Sequence, residues 1–157
     1  MLKHVLVPLD GSQLAEEALD HAKNIVDPNG KITLVAAVDI PDVPLYGYYP
    51  AIATPDFEAA TKEMLPQAKK YLEMVAKRIA SGNLTISIDA QLGEPAEVIT
   101  DAAQKFHVDA IVMSTHGRSG LGKWLFGSIT NKVLGAKPCP VYVVPSKDKA
   151  KESGNDA

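Results

Sequence analysis

The pattern of apolar and polar positions along the chain predicts five strands separated by helices. Apolar runs at 5–7, 32–38, 110–113 and 141–144 predict strands of a sheet. Segment 84–90 instead alternates between apolar and polar residues, as expected of an edge strand with one wet face. Between the strands, apolar residues recur every three or four positions, and this spacing predicts amphipathic helices.

Four helices are predicted between the strands, and turn-forming residues mark their ends. Their expected limits are 13–26, about 56–81, a stretch that Pro95 opens, and 128–134. Pro28-Asn29-Gly30 is expected to stop the first helix. Pro66 lies inside the second helix and predicts either a kink or a later start. The residues of that helix expected to face inward are Met64, Leu65, Ala68, Leu72, Val75 and Ile79.

The alternation of strands and helices predicts the fold class. A βαβαβαβαβ order implies an α/β, doubly wound fold with an open parallel sheet and helices on both faces. The 157 residues leave no room for a second core. We expect one domain over 1–146 and a polar, flexible tail over 147–157. The Pro- and Tyr-rich segment 41–55 is predicted to be a loop that is more mobile than the sheet.

Composition and charge narrow the classes of partner. The net charge is −3 with a pI near 5.8, whereas a binder of duplex nucleic acid usually carries a basic surplus, so no nucleic-acid partner is expected. No segment approaches the roughly 18 apolar residues that a membrane helix needs, so we expect no membrane insertion. The single cysteine, Cys139, requires no oxidising compartment. These features predict a cytoplasmic protein.

Candidate chemistry lies after the first and fourth strands, at 8–12 (PLDGS) and 114–117 (STHG). Open parallel sheets bind ligands beyond the carboxyl ends of the strands, where the strand order reverses. If these two strands are neighbours, that point lies between them.

A glycine-rich stretch follows the fourth strand and suits an anion. Gly117, Gly120, Gly122 and Gly127 fall within eleven residues, and a helix is expected to start at Ser128. Glycine tolerates positive φ and lets backbone N–H groups approach a phosphate, which a helix N-terminus also attracts. Arg118 and Lys123 add positive charge.

Part of this stretch matches a different phosphate motif. Segment 117–123 reads GRSGLGK, most of the P-loop pattern G-x-x-x-x-G-K-[ST]. Trp124 stands where that pattern needs the hydroxyl that binds magnesium, and the expected helix starts later. A true P-loop is therefore not expected.

Two segments resemble a known family. Segment 109–144, DAIVMSTHGRSGLGKWLFGSITNKVLGAKPCPVYVV, resembles the C-terminal half of a universal stress protein, and 4–22, HVLVPLDGSQLAEEALDHA, resembles its N-terminal strand and helix. Nucleotide-binding members of that family carry G-x2-G-x9-G-[ST] after the fourth strand. Here the pattern falls on Ser114, Gly117, Gly127 and Ser128, with serine in place of the first glycine. The resemblance implies strand order 3-2-1-4-5, in which strands one and four are neighbours.

The resemblance also implies an ATP site with Mg²⁺ or Mn²⁺ on the phosphates. Adenine and ribose would lie against Pro8, Leu9 and Asp10, with Val38 and Met113 beside them. The implied ribose and phosphate contacts are Ser114, Thr115, His116, Gly117, Arg118, Ser119, Gly120, Gly127, Ser128, Ile129 and Thr130. Metal ligands are not identified. Asp10 has a second interpretation from the residues themselves, because an aspartate after a strand commonly caps the next turn.

The function expected from these features is an ATP-binding stress-response or regulatory module. The resemblance implies a homodimer through the last strand, Pro140 to Pro145, with a regulatory protein as a further partner. No Ser-His-Asp or Cys-His order indicates a nucleophile with its base, so no catalytic residue is expected. Two alternatives stay open: a slow ATPase or phosphotransferase, and a dimerising scaffold that binds no nucleotide.

Overall fold

The computed structural model describes residues 1–39, 60–115 and 127–146. The elements are β1 (Leu2–Pro8), α1 (Gln13–Ile25), β2 (Val26–Val38), α2 (Leu65–Ile79), β3 (Thr85–Leu92), α3 (Pro95–Lys105), β4 (Ala110–Ser114), α4 (Ser128–Ala136) and β5 (Val141–Val144). The predicted loop 41–55 and the predicted tail 147–157 lie outside the described residues.

The five strands form one parallel sheet in the order β3-β2-β1-β4-β5, which confirms the predicted fold class and strand order. Strand β1 pairs on one side with β2, where Val5 is opposite Ile32, and on the other side with β4, where Val5 is opposite Ala110. The chain therefore winds outward from β1 in both directions. The strand order reverses between β1 and β4, which are the two strands that the candidate segments 8–12 and 114–117 follow.

Two apolar layers cover the sheet because successive strand residues point to opposite faces. Val5 packs with Leu72 and the other buried residues of α1 and α2. Leu6, the next residue, packs on the opposite face with Ile99 of α3 and Val133 of α4. All three residues of the apolar run 5–7 are fully buried, which is why that run shows no polar alternation.

Strand β2 begins much earlier than predicted. Helix α1 ends at Ile25 and the strand begins at the next residue, so Pro28-Asn29-Gly30 lies within a strand and not in a turn. The pairing with β1 shifts between Leu2 and His4, which makes an irregularity at this place. A Cβ at Gly30 would lie 2.7 Å from the carbonyl oxygen of Lys3, so the close approach of the two backbones requires glycine.

Helix α2 starts later than its apolar pattern alone indicated. Pro66 occupies the first turn of the α-helix, where its missing N–H costs nothing, and a π-helical turn at Ala60–Met64 precedes it. The predicted later start is therefore confirmed. The prediction that Met64 faces inward is wrong, since Met64 is 50% exposed. It lies before the α-helix, so the period of the helix does not extend to it.

Candidate functional site

A cleft lies at the carboxyl edge of the sheet, at the point between β1 and β4 where the strand order reverses. It encloses about 630 Å³ with its open mouth included. Concave sites at such points of α/β sheets commonly bind small molecules. The described lining residues come from three strand ends and three helix starts: Pro8, Leu9, Asp10, Leu14, Ala15, Val35, Ala37, Pro95, Ile99, Met113, Ser114, Ile129 and Thr130.

The wall of the cleft is mainly aliphatic. Leu9, Ile99 and Met113 are buried core residues whose side chains also line it. Among the described lining residues, Asp10 is the one titratable group. This wall suits the uncharged part of a ligand, because apolar surface gains free energy when it leaves water. Any anionic part needs hydrogen-bond donors from the backbone or from neighbouring segments.

Three helix N-termini border the cleft, and they differ in their caps. In α1 the hydroxyl of Ser12 accepts from the backbone N–H of Ala15 at 3.1 Å. In α3 a carboxylate oxygen of Glu94 accepts from the backbone N–H of Glu97 at 3.0 Å. Helix α4 is preceded by Gly127 and has no side-chain cap. Of these three helix starts, that of α4 is the one with no side-chain cap among the residues that the structure describes.

Within the described part of the chain, the first turn of α4 therefore presents N–H donors that no side chain caps. The earliest bond of the helix runs from the N–H of Asn131 to the carbonyl of Gly127 at 3.0 Å. The N–H groups of Ser128, Ile129 and Thr130 precede it, and a helix supplies no internal acceptor for such groups. Together with the helix dipole they favour an anion. Ile129 and Thr130 line the cleft, so the donors lie at its edge.

The backbone conformation at 127 does not require glycine. The backbone of Gly127 has φ −57° and ψ 159°, an extended conformation that any residue adopts. The expectation that positive φ requires glycine here is wrong, because the residue before a helix is normally extended. Gly11, beside Asp10, does have positive φ at +85°. At 127 the absence of a side chain is the property that bears on the anion site.

Asp10 performs the local role that the sequence had left open. Its Oδ1 accepts from the backbone N–H of Ser12 at 2.9 Å and from the hydroxyl of Ser12 at 2.6 Å. The same hydroxyl caps α1. Asp10 thus orders the turn between β1 and α1 and also lines the cleft. Its contact with a ligand stays a prediction.

Seven of the predicted site residues line the cleft: Pro8, Leu9, Asp10, Met113, Ser114, Ile129 and Thr130. Thr115, Gly127 and Ser128 adjoin the cleft in sequence, and the N–H of Thr115 is bonded to the carbonyl of Val144 at 3.0 Å. Five more predicted contacts, His116, Gly117, Arg118, Ser119 and Gly120, lie outside the described residues.

Val38 is a further predicted contact that the structure describes and that does not line the cleft. It is buried at the end of β2, and its carbonyl accepts from the N–H of Gly93 at 3.0 Å. The lining residues from this strand are Val35 and Ala37. Their side chains share one face of the strand and that of Val38 points to the other face, because the side-chain period of a strand is two.

Sequence reasoning missed the lining residues that carry no polar chemistry. These are Leu14, Ala15, Val35, Ala37, Pro95 and Ile99. Their apolar side chains satisfied the helix and strand patterns, so nothing in the pattern separated them from ordinary core. Their position along the chain could have identified two of them. Leu14 and Pro95 lie in the first turn of a helix that follows a strand, next to the sheet edge where ligands bind.

The described ranges hold neither a candidate metal cluster nor a membrane-spanning helix. In residues 1–39, 60–115 and 127–146 no cluster of three or more histidine, cysteine, aspartate or glutamate side chains could hold a metal ion. In the same ranges no helix is long and apolar enough to cross a bilayer.

Comparison with known proteins places this geometry in a family. Residues 1–145 match the universal stress protein family. Universal stress protein MJ0531 of Methanocaldococcus jannaschii is 31% identical over 150 residues, which are 95% of this chain and 85% of that protein. The solved structure of MJ0577 from the same organism has a TM-score of 0.74 at 29% identity, covering 93% of this chain and 97% of that chain.

Two further solved structures share the fold at lower identity. A universal stress protein in complex with cAMP has a TM-score of 0.59 at 23% identity, covering 93% of this chain and 98% of its own. An Arabidopsis thaliana protein of the family, with AMP bound, has a TM-score of 0.59 at 16% identity, covering 98% and 97%. The match over 145 residues together with the sheet order and the cleft leads to one conclusion: the chain belongs to the universal stress protein family.

Proposed function

We propose that this protein binds ATP in the cleft and acts as a homodimeric regulatory module of the stress response. The observation that carries the proposal is the uncapped start of α4, which points backbone N–H groups at the edge of a largely aliphatic cleft. The phosphate oxygens would accept hydrogen bonds from these N–H groups, where the helix dipole favours negative charge. The adenosine belongs against the aliphatic wall.

The residues present fit such a ligand. The cleft is mainly aliphatic, and its one described carboxylate, Asp10, can accept a hydrogen bond from the ribose or the base. The solved relatives that hold AMP and cAMP support an adenine nucleotide as the ligand class. We propose that segment 116–120 adds contacts to the ribose and phosphates. Mg²⁺ or Mn²⁺ would be held mainly through the phosphates and water, as is common for Mg²⁺ bound with nucleotides.

Titration calorimetry with ATP and Mg²⁺ tests the proposal on the full chain, with two variants. Gly127→Val should weaken binding more than Lys123→Ala, because a branched side chain would crowd the donors at the start of α4. Removing one cation should cost only about 1 kcal/mol or less, by analogy with surface ion pairs. Circular dichroism controls for folding.

Two results would contradict the proposal. Absence of ATP binding by the unchanged chain would reject the nucleotide site. Loss of binding in Lys123→Ala with normal binding in Gly127→Val would indicate a charge clamp of the P-loop type and not a backbone site.

The dimer is proposed through β5, which is an outer strand of the sheet. The carbonyls of Pro140 and Val144 accept from Ile111 and Thr115 of the β4 side. Since backbone groups alternate along a strand, those of Val141 and Val143 point away from β4. Such an edge can pair with a second copy about a twofold axis.

Light scattering at micromolar concentration tests the dimer. Val143→Pro removes an outward N–H without removing a bond to β4, so it should shift the protein toward monomer. Val143→Ala keeps the N–H and serves as the control. A monomer in the unchanged chain, or a Val143→Pro variant that is fully dimeric, would reject this interface.

A further inference from the structure

Helix α2 carries a surplus of positive charge. It has four basic residues and one acidic residue, whereas the whole chain has a net charge of −3 and helices α1 and α3 each carry more acidic than basic residues. Arg78 of this helix is engaged in an ion pair with Glu16 of α1. The other three basic residues are exposed, and the structure shows no ion pair between any of them and another residue that it describes: Lys69, Lys70 and Lys77.

An exposed methionine lies between two of these lysines on the helix surface. Met74 is 60% exposed. Lys70 precedes it by four residues and Lys77 follows it by three, so the three side chains are neighbours on one face of the helix. We call these three residues the outer face of α2. The buried residues of the helix lie on the opposite side: Leu72, Val75 and Ile79.

Exposure of Met74 within a basic face has a recognisable chemistry. Single apolar residues on a surface are ordinary, but here the methionine is flanked by lysines that no described carboxylate neutralises. Methionine is flexible and polarisable, and it recurs on surfaces that bind peptides. Tyr142, another exposed large apolar residue, lies on β5, the strand proposed above to pair with a second copy.

We infer that the outer face of α2 is a docking surface for an acidic, partly apolar segment of a partner protein. Carboxylates of that segment would pair with Lys70 and Lys77, because opposite charges across an interface set the partner and its register. An apolar side chain of the same segment would pack against Met74. This surface does not depend on the nucleotide site.

The charge pattern favours a protein over an anionic membrane. Glu73 lies three or four residues from each of the three lysines, so it lies beside them on the helix, where a uniformly negative surface would repel it. Recognition of anionic lipids typically uses clusters of about four to eight basic residues. The three available lysines fall short of that number. A partner with its own pattern of charges can avoid Glu73.

An amide NMR titration of the full chain tests the surface, with a synthetic peptide of glutamate and leucine at helical spacing as the probe. The peptide should shift amides of α2. The double variant Lys70→Glu/Lys77→Glu should weaken binding at least about tenfold, since attraction is lost and repulsion is added at two positions. Its matched control is Lys23→Glu/Lys105→Glu, which changes the net charge equally on exposed residues of α1 and α3 and should bind like the unchanged chain.

Met74→Gln tests the apolar part of the contact. Glutamine is about as good a helix former as methionine, so the helix should be preserved. The variant should bind the glutamate–leucine peptide about threefold more weakly, because less apolar surface leaves water. It should bind a glutamate–serine peptide of the same charge as the unchanged chain does. Circular dichroism and the melting temperature control for folding.

The outcomes that overturn the inference are distinct from failure of the proposed function. Failure of the glutamate–leucine peptide to bind, or equal binding by Lys70→Glu/Lys77→Glu and the unchanged chain, would reject the docking surface. Binding of phosphatidylglycerol vesicles that this double variant abolishes would reassign the face to a membrane surface. ATP affinity should be the same in all these variants, so rejection of the docking surface leaves the ATP site standing.

Discussion

The two edges of the sheet differ in how fully their polar groups are paired. Near the amino edge, hydrogen bonds link His4, Thr33 and Ser87 across β1, β2 and β3. The carboxylate of Asp109 accepts from the backbone N–H groups of Lys3 and His4 at 2.8 and 2.9 Å. At the carboxyl edge, the first turn of α4 has no side-chain cap, and the structure shows no partner for the Ser114 hydroxyl among the described residues.

This contrast distinguishes the edge whose polar groups stabilise the fold from the edge whose polar groups can bind a ligand. A polar group that is paired inside the protein adds stability, whereas a buried group without a partner costs free energy until a ligand supplies one. Proteins commonly break local rules of stability at functional sites. The amino edge therefore has the features of a structural network, and the carboxyl edge has those of a binding site.

The largest expected effect is a loss of ATP affinity when the start of α4, at the carboxyl edge, is given a side-chain cap. Gly127→Asp supplies the missing cap of α4, and the extended backbone at this position accepts it without strain. The carboxylate would occupy the donors and repel phosphate, so ATP affinity should fall at least about a hundredfold. The free energy of unfolding should increase by a few tenths of a kcal/mol, about the cap difference between glycine and aspartate.

Gly127→Ser is the control for charge, since it caps the helix without adding an anion. Its ATP affinity should lie between those of the unchanged chain and Gly127→Asp in calorimetric titration. Normal ATP binding by Gly127→Asp would show that the start of α4 does not hold the phosphates.

The next largest effect is expected at the amino edge and concerns stability alone. Thr33 is 1% exposed and is the middle member of its hydrogen-bonded chain. Thr33→Val keeps the shape but leaves His4 and Ser87 without this partner, which should lower the free energy of unfolding by about 2–3 kcal/mol. Urea unfolding measures this change, and calorimetry should find ATP affinity unchanged. A large loss of ATP affinity in Thr33→Val would show that the amino edge also affects binding, which contradicts the distinction between the two edges.

The smallest effect is a pH dependence of stability at the amino edge. Burial, with Lys31 nearby, lowers the pKa of His4 from its ordinary value of 6.5, although Asp109 and the carbonyl of Phe106 act in the opposite direction. The unfolded chain therefore takes up this proton at a higher pH than the folded chain. The stability that neutral His4 contributes is present above pH 6.5 and is lost as pH falls through the lowered pKa.

Urea unfolding of the unchanged chain and of His4→Gln isolates this titration. The stability advantage of the unchanged chain should shrink between neutral pH and about pH 5, within the range where histidine titrates. An advantage that grows as pH falls would mean that the folded pKa is raised. Titration of Asp109 lies below this pH range, because hydrogen bonds from the backbone N–H groups of His4 and Lys3 lower the pKa of its carboxyl below 3.8.

Much of the fold could be predicted from the sequence, because its strong signals are local. The fully buried run at 5–7 and the start of α3 at Pro95 follow directly from pattern and proline chemistry. The early start of β2 could not be predicted, because Pro28-Asn29-Gly30 has the composition of a turn. The backbone of Lys3, which is distant in sequence, makes Gly30 part of a strand irregularity.

The candidate site was predictable where it carries polar or glycine chemistry. Asp10, Ser114 and Thr130 stood out in the sequence and line the cleft. Ala37 and Ile99 did not stand out, because an aliphatic residue that lines a cleft looks the same in sequence as one that fills a core. The start of α4 at Ser128 was predictable as well, and the structure adds that no side-chain cap precedes it.

The most direct test of the account is a residue-resolved amide NMR titration of the full chain with ATP and Mg²⁺. The account predicts large shifts for the amides of Ser128, Ile129 and Thr130, whose N–H groups would contact the phosphates. The amides of Thr33 and Ser87 at the amino edge should not move. Saturable shifts confined to the amino edge, or none at the start of α4, would contradict the assignment of the carboxyl edge as the binding site.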